Sequence, residues 1–125
     1  MQNVSFTGLK GFSKDNNPQN LTTLTKFYGT PFVEALGEAS AKINSIAGDS
    51  DVFLKTSEYG DIDIVDENDE SYATAEFNIN GTKPSPEDIP DICRSAFADL
   101  AFDFIEAYDV KKATGELKKI IDTYA

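Results

Sequence analysis

A chain of 125 residues that is 40% apolar, with nine Phe and five Tyr, is expected to fold as one domain around a real core. It carries 22 acids against 11 bases, a net charge of −11, which disfavours direct binding to nucleic acid or anionic membrane and favours basic protein partners. It has no His and a single Cys, Cys93, which excludes Ser-His and Cys-His dyads, an internal disulfide and thiolate metal clusters.

The N-terminal segment has no apolar run of signal-peptide length, so a cytoplasmic setting is expected, in a host cell or a virion if the gene is phage-borne. Residues 3–12 alternate weakly, with Val4 and Phe6 on one side and Ser5 and Thr7 on the other, and predict a short edge strand. Asn17-Pro18 is a helix-start signal, and Leu21, Leu24, Phe27 and Tyr28 then fall at helical spacing up to Gly29. Thr30-Pro31 is a second start. Phe32, Leu36, Ala39, Ile43 and Ile46 predict an amphipathic helix over about 31–47, closed by Gly48. Gly37 inside it costs about 1 kcal/mol relative to Ala and suggests close packing.

The period switches to two between residues 52 and 80. Val52, Leu54 and Thr56 oppose Phe53 and Lys55; Ile62 and Ile64 oppose Asp61 and Asp63. Ala73, Ala75, Phe77 and Ile79 oppose Tyr72, Thr74, Glu76 and Asn78. These runs predict a three-stranded antiparallel meander. Residues 85–110 predict the strongest helix, capped by Ser85 or Asp88, with a broad stripe of Ile89, Ile92, Cys93, Ala96, Phe97, Leu100, Ala101, Phe104, Ile105 and Tyr108. Thr114-Gly115 predicts a break before a terminal helix with Leu117, Ile120, Ile121 and Tyr124 inward. The expected class is α+β, an antiparallel meander of three to four strands covered by helices, in the order β-α-α-β-β-β-α-α.

The charge is uneven. Residues 49–85 hold ten acids and two bases, and residues 86–109 hold seven acids and one base. The meander carries Asp61, Asp63, Asp66, Glu67, Asp69, Glu70 and Glu76. On the long helix, Asp91, Ser95, Asp99 and Asp103 form an i, i+4 ladder with Glu106 beside it. Phe102 projects from this acidic side, either as an interaction anchor or into a second layer of core under the N-terminal helices. If meander face and helix edge adjoin, they make one negative surface. Lys111, Lys112, Lys118 and Lys119 read as the solvated face of the last helix.

Specific chemistry fits poorly. A calcium loop starting at Asp66 has Asn68 and Glu70 in place, but Ser71 stands where Gly is needed and Phe77 where Glu is needed. Asp61, Asp63 and Glu76 lack the nearby Lys of a metal-dependent nuclease, since Asn78 occupies that place. Cys93 sits in the apolar stripe and reads as a buried structural thiol.

The functional expectation is a non-enzymatic acidic binding protein without cofactor or metal. It would act as an inhibitor of the kind carried by phages and mobile elements. Polyanion mimicry would let it occupy the basic groove of a nucleic-acid-handling protein. The expected partner-binding residues are Asp61, Asp63, Asp66, Glu67, Asp69, Glu70, Glu76, Asp91, Asp99, Phe102, Asp103 and Glu106. The alternative is a structural or assembly subunit of a virion or other homo-oligomer, with acidic and basic segments meeting between copies.

Overall fold

The computed structural model describes residues 9–13, 17–48 and 52–124. Val4 and Phe6, expected in the first strand, lie outside the described residues, as do residues 14–16 and 49–51. The order is β1 (Leu9–Phe12), α1 (Pro18–Tyr28), α2 (Thr30–Ala47), β2 (Val52–Thr56), β3 (Asp61–Asp66), β4 (Ser71–Glu76) and α3 (Ile89–Tyr124). The α+β class holds. Strands β2, β3 and β4 form the antiparallel meander, and β1 joins its edge parallel to β2. A parallel neighbour needs a crossover connection, and α1 with α2 supplies it.

Local chemistry explains both N-terminal helices. The Asn17 side chain accepts the Gln19 N–H at 3.1 Å and Pro18 opens α1. Gly29, at φ +77°, ends α1 and opens α2 in one residue. Among the described residues nothing lies within 4 Å of a methyl built on Gly37, so none of them makes the expected close packing there.

One core joins the layers. Leu24, Phe32, Leu36 and Ile43 from the first two helices meet Val52, Leu54, Ile62 and Ile64 from the sheet and Cys93, Phe97, Leu100 and Phe104 from α3. Phe77 is the aromatic centre, with the rings of Tyr28, Phe32 and Phe97 at 5.3, 5.3 and 5.2 Å. Such contacts add about 0.5–1.5 kcal/mol per pair beyond burial. Ile46 and Ile92, expected inward, are exposed at the margins of their stripes.

Three expectations are corrected. Tyr72 does not share the outer sheet face with Thr74 and Glu76. A bulge sets Ile64 against Ala73 but Val65 against Ser71, so Tyr72 is the extra residue. Its ring packs against Phe104 at 5.2 Å and Tyr108 at 6.1 Å.

Secondly, the break at Thr114-Gly115 is absent, and α3 continues for 36 residues. Gly115 costs about 1 kcal/mol, which the Leu, Lys and Glu around it outweigh. The Thr114 hydroxyl also donates to the Val110 carbonyl at 2.9 Å, within the helix. The start of α3 is sharper: Asp88 N–H donates to Ser85 C=O at 2.9 Å, and the helix runs from Ile89 with Pro90 in its first turn.

Thirdly, Leu117, Ile120 and Ile121 do not face inward but are exposed. A continuous helix carries them past the sheet instead of folding them back. The Tyr124 side chain lies outside the described set. Among the described residues no helix is long and apolar enough to cross a membrane.

Candidate functional site

The acids expected to act together occupy three places. Asp61, Asp63 and Glu76 point to the side of the sheet away from the main core, since their neighbours Ile62, Ile64 and Ala75 are the buried ones, and Val65 on that same side is buried too. Asp61 pairs directly across from Glu76. Like charges in that position repel, a cost the fold itself does not require. Asp61 accepts from the Ser57 hydroxyl at 3.1 Å. Asp63 accepts from Ser71 at 2.5 Å and Thr74 at 3.0 Å.

The hairpin tip is the second place, and several of its carboxylates serve the fold. Asp66 Oδ1 accepts the N–H groups of Asn68 and Glu70 at 2.8 and 3.0 Å, which closes the turn. Its other oxygen takes the Lys111 ammonium, which also reaches Glu70 at 3.4 Å and lies 4.7 Å from the centre of the Tyr72 ring. Burial works against the Asp66 charge, but the Lys111 hydrogen bond, the two N–H groups and the Lys111 charge hold its carboxyl below the ordinary Asp range. Asp66 in turn raises Lys111 above the ordinary Lys value, against a smaller opposing effect of burial. Lys111 is therefore a clamp between α3 and the hairpin, not a freely solvated base. Asp69 pairs with Lys55 at 3.6 Å, and Glu67 is exposed at the tip.

The third place is the outer side of α3. Asp91, Asp99, Asp103 and Glu106 are exposed there. Asp91 lies 3.6 Å from Arg94, and the other three turn to solvent beside Phe102. Phe102 is 60% exposed, so it is not a second layer of core. Helix geometry of about 100° per residue aligns Asp99, Phe102, Asp103 and Glu106 with Val110, Ala113, Leu117, Ile120 and Ile121. Val110, Leu117, Ile120 and Ile121 are 66, 57, 55 and 57% exposed. A shallow groove lined by Asp103, Glu106, Ala107, Val110, Lys111 and Thr114 lies where acidic and apolar halves meet.

The sheet acids stand on the face of β3 and β4 turned from the core and the α3 acids on the side of α3 turned from the same core, while Lys111 ties the hairpin-tip acids Asp66 and Glu70 to α3. The apolar half of the α3 face was visible in the sequence as a helical stripe. Its exposure was not, because a stripe does not reveal what it faces.

Cys93 is buried, and burial pushes its thiol above the ordinary Cys value. A raised pKa lowers the thiolate fraction, which suits a packing role. Among the described residues no group of three or more Cys, Asp or Glu side chains is placed to hold a metal ion. No family model, curated protein or solved structure matches the chain.

Proposed function

We propose that the chain is a non-enzymatic acidic binding and assembly protein whose working surface is the outer side of α3. The observation that carries this reading is the exposed Phe102, set among Asp99, Asp103 and Glu106 and continued by exposed Val110, Leu117, Ile120 and Ile121. A contiguous apolar face on a rigid helix, rimmed by charge, is the anatomy of a docking element. The test is to compare complexes formed by the wild type with those of Phe102→Ala and of Leu117→Asp/Ile121→Asp. All three positions are exposed, so the fold survives substitution. The reading expects the complexes to be lost in the variants, and their unchanged formation would contradict it.

A second reading has its own observation. Asp61, Asp63 and Glu76 stand on one rigid sheet face, with Asp61 and Glu76 directly opposed. Fixed carboxylates of this kind can stand in for phosphates in the basic groove of a nucleic-acid-handling protein. This is the inhibitor reading, moved from the whole acidic surface to the sheet face. Reversing the three acids to Lys separates it from mere solubility: a stably folded protein should lose affinity for a basic nucleic-acid enzyme at low salt. Unchanged affinity would remove the inhibitor reading.

A further inference from the structure

Helix α3 changes its apolar side halfway along. Cys93, Phe97, Leu100 and Phe104 face the domain's own core. At about 100° per residue, Val110, Ala113, Leu117, Ile120 and Ile121 lie on the opposite side of the same helix. All side chains from 109 to 122 are exposed. Left uncovered, the exposed Val110, Leu117, Ile120 and Ile121 keep a contiguous apolar stripe in water, which a partner face would remove.

Charge indicates the cover. Between residues 99 and 109, α3 carries Asp99, Asp103, Glu106 and Asp109 and no base. Between 110 and 122 it carries four Lys against Glu116 and Asp122. A helix with an acidic first part and a basic second part is complementary to its own reverse. Alignment about a point between residues 110 and 111 sets Asp103 against Lys118, Asp109 against Lys112 and Phe102 beside Ile120. A parallel alignment sets each charge against its like.

Resting on the assembly reading above, we propose that α3 pairs antiparallel with α3 of a second copy about a two-fold axis near residues 110 and 111, each Phe102 packing beside the other's Ile120. The contact is isologous, so every interaction occurs twice. The first half of each α3 keeps its core side on its own domain and offers only its solvent side, so neither core is opened. Phe102 and the apolar stripe form the centre of the joint, and the Asp–Lys pairs fix its direction.

The experiment uses the full chain. Sedimentation velocity from about 1 to about 200 µM is expected to show the mass doubling. Asp103→Cys and Lys118→Cys variants, mixed and oxidised, are expected to cross-link to each other. Either alone should cross-link poorly, because the antiparallel pair separates like positions by roughly 22 Å along the axis. Cys93 is buried and does not compete. Leu117→Asp/Ile121→Asp is expected to be monomeric and still cooperatively folded, melting as the wild type does when dilute. A monomer at every concentration would overturn both this inference and the assembly reading. An oligomer that survives Leu117→Asp/Ile121→Asp, or cross-links mainly between like positions, would overturn the antiparallel α3 pair and leave assembly standing.

Discussion

Gly60→Ala tests whether the meander is held by the contact on which its geometry depends. Gly60 lies in the β2–β3 connection at φ +98°, and a methyl there would stand 1.8 Å from the Phe77 carbonyl oxygen and 3.0 Å from its carbon. Relief requires the backbone at Phe77 to move by more than 1 Å, about the gap to an ordinary contact. That movement strains the 2.9 Å hydrogen bond from Phe77 N–H to Gly60 C=O and disturbs the ring cluster around Phe77. The left-handed backbone costs about 1–2 kcal/mol for Ala and the weakened hydrogen bond about 1 kcal/mol. Repacking adds about 1 kcal/mol or more, while the stiffer unfolded chain returns about 0.4–1 kcal/mol. The expected net loss is about 2–4 kcal/mol, read by urea unfolding at unchanged slope. A net loss of about 1 kcal/mol or less, no more than the left-handed backbone alone accounts for, would refute the collision argument.

Three further outcomes are expected. Lys111→Met should destabilise by about 0.5–1 kcal/mol near neutral pH, since the pair is partly solvated. Asp66 has a lowered pKa, so the stability it contributes is present above the ordinary Asp pKa and lost as pH falls through the lowered value. The difference between wild type and Lys111→Met should therefore shrink on acidification, as followed by urea melts across the acid range. Glu76→Lys converts the opposed pair with Asp61 into an attractive one and should stabilise by about 0.2–1 kcal/mol in thermal unfolding. Gly37→Ala, in a helix interior where no described residue lies within 4 Å of the added methyl, should stabilise by about 0.5–1 kcal/mol in the same assay.

Much of the fold is local and was therefore legible. The Asn17-Pro18 and Thr30-Pro31 starts, the shift from helical to two-residue period at Val52, and the stripe through Cys93, Phe97 and Phe104 each report short-range geometry. What escaped depends on distant partners. The Lys111–Asp66 clamp joins residues 45 positions apart, and no local pattern marks it. Strict alternation assigns Tyr72 outward, and only its pairing with β3 reveals the slipped residue. Gly115 looks like a stop because its cost is visible one residue at a time, whereas the helix integrates over its neighbours. The candidate site was half legible. Phe102 and its acids follow from helix spacing, but the apolar continuation was read as core, because periodicity gives a face and not its surroundings.

The central claim, that the outer side of α3 is the docking surface, is tested most directly by amide hydrogen exchange along α3, with and without an occupant. The occupant is a second copy, supplied by raising the protein concentration from about 1 to about 200 µM. The account predicts fast exchange across residues 110–122 in the dilute protein, slowed severalfold at high concentration, while the β2–β4 amides stay unchanged. Exchange across 110–122 that is the same at both concentrations would contradict it.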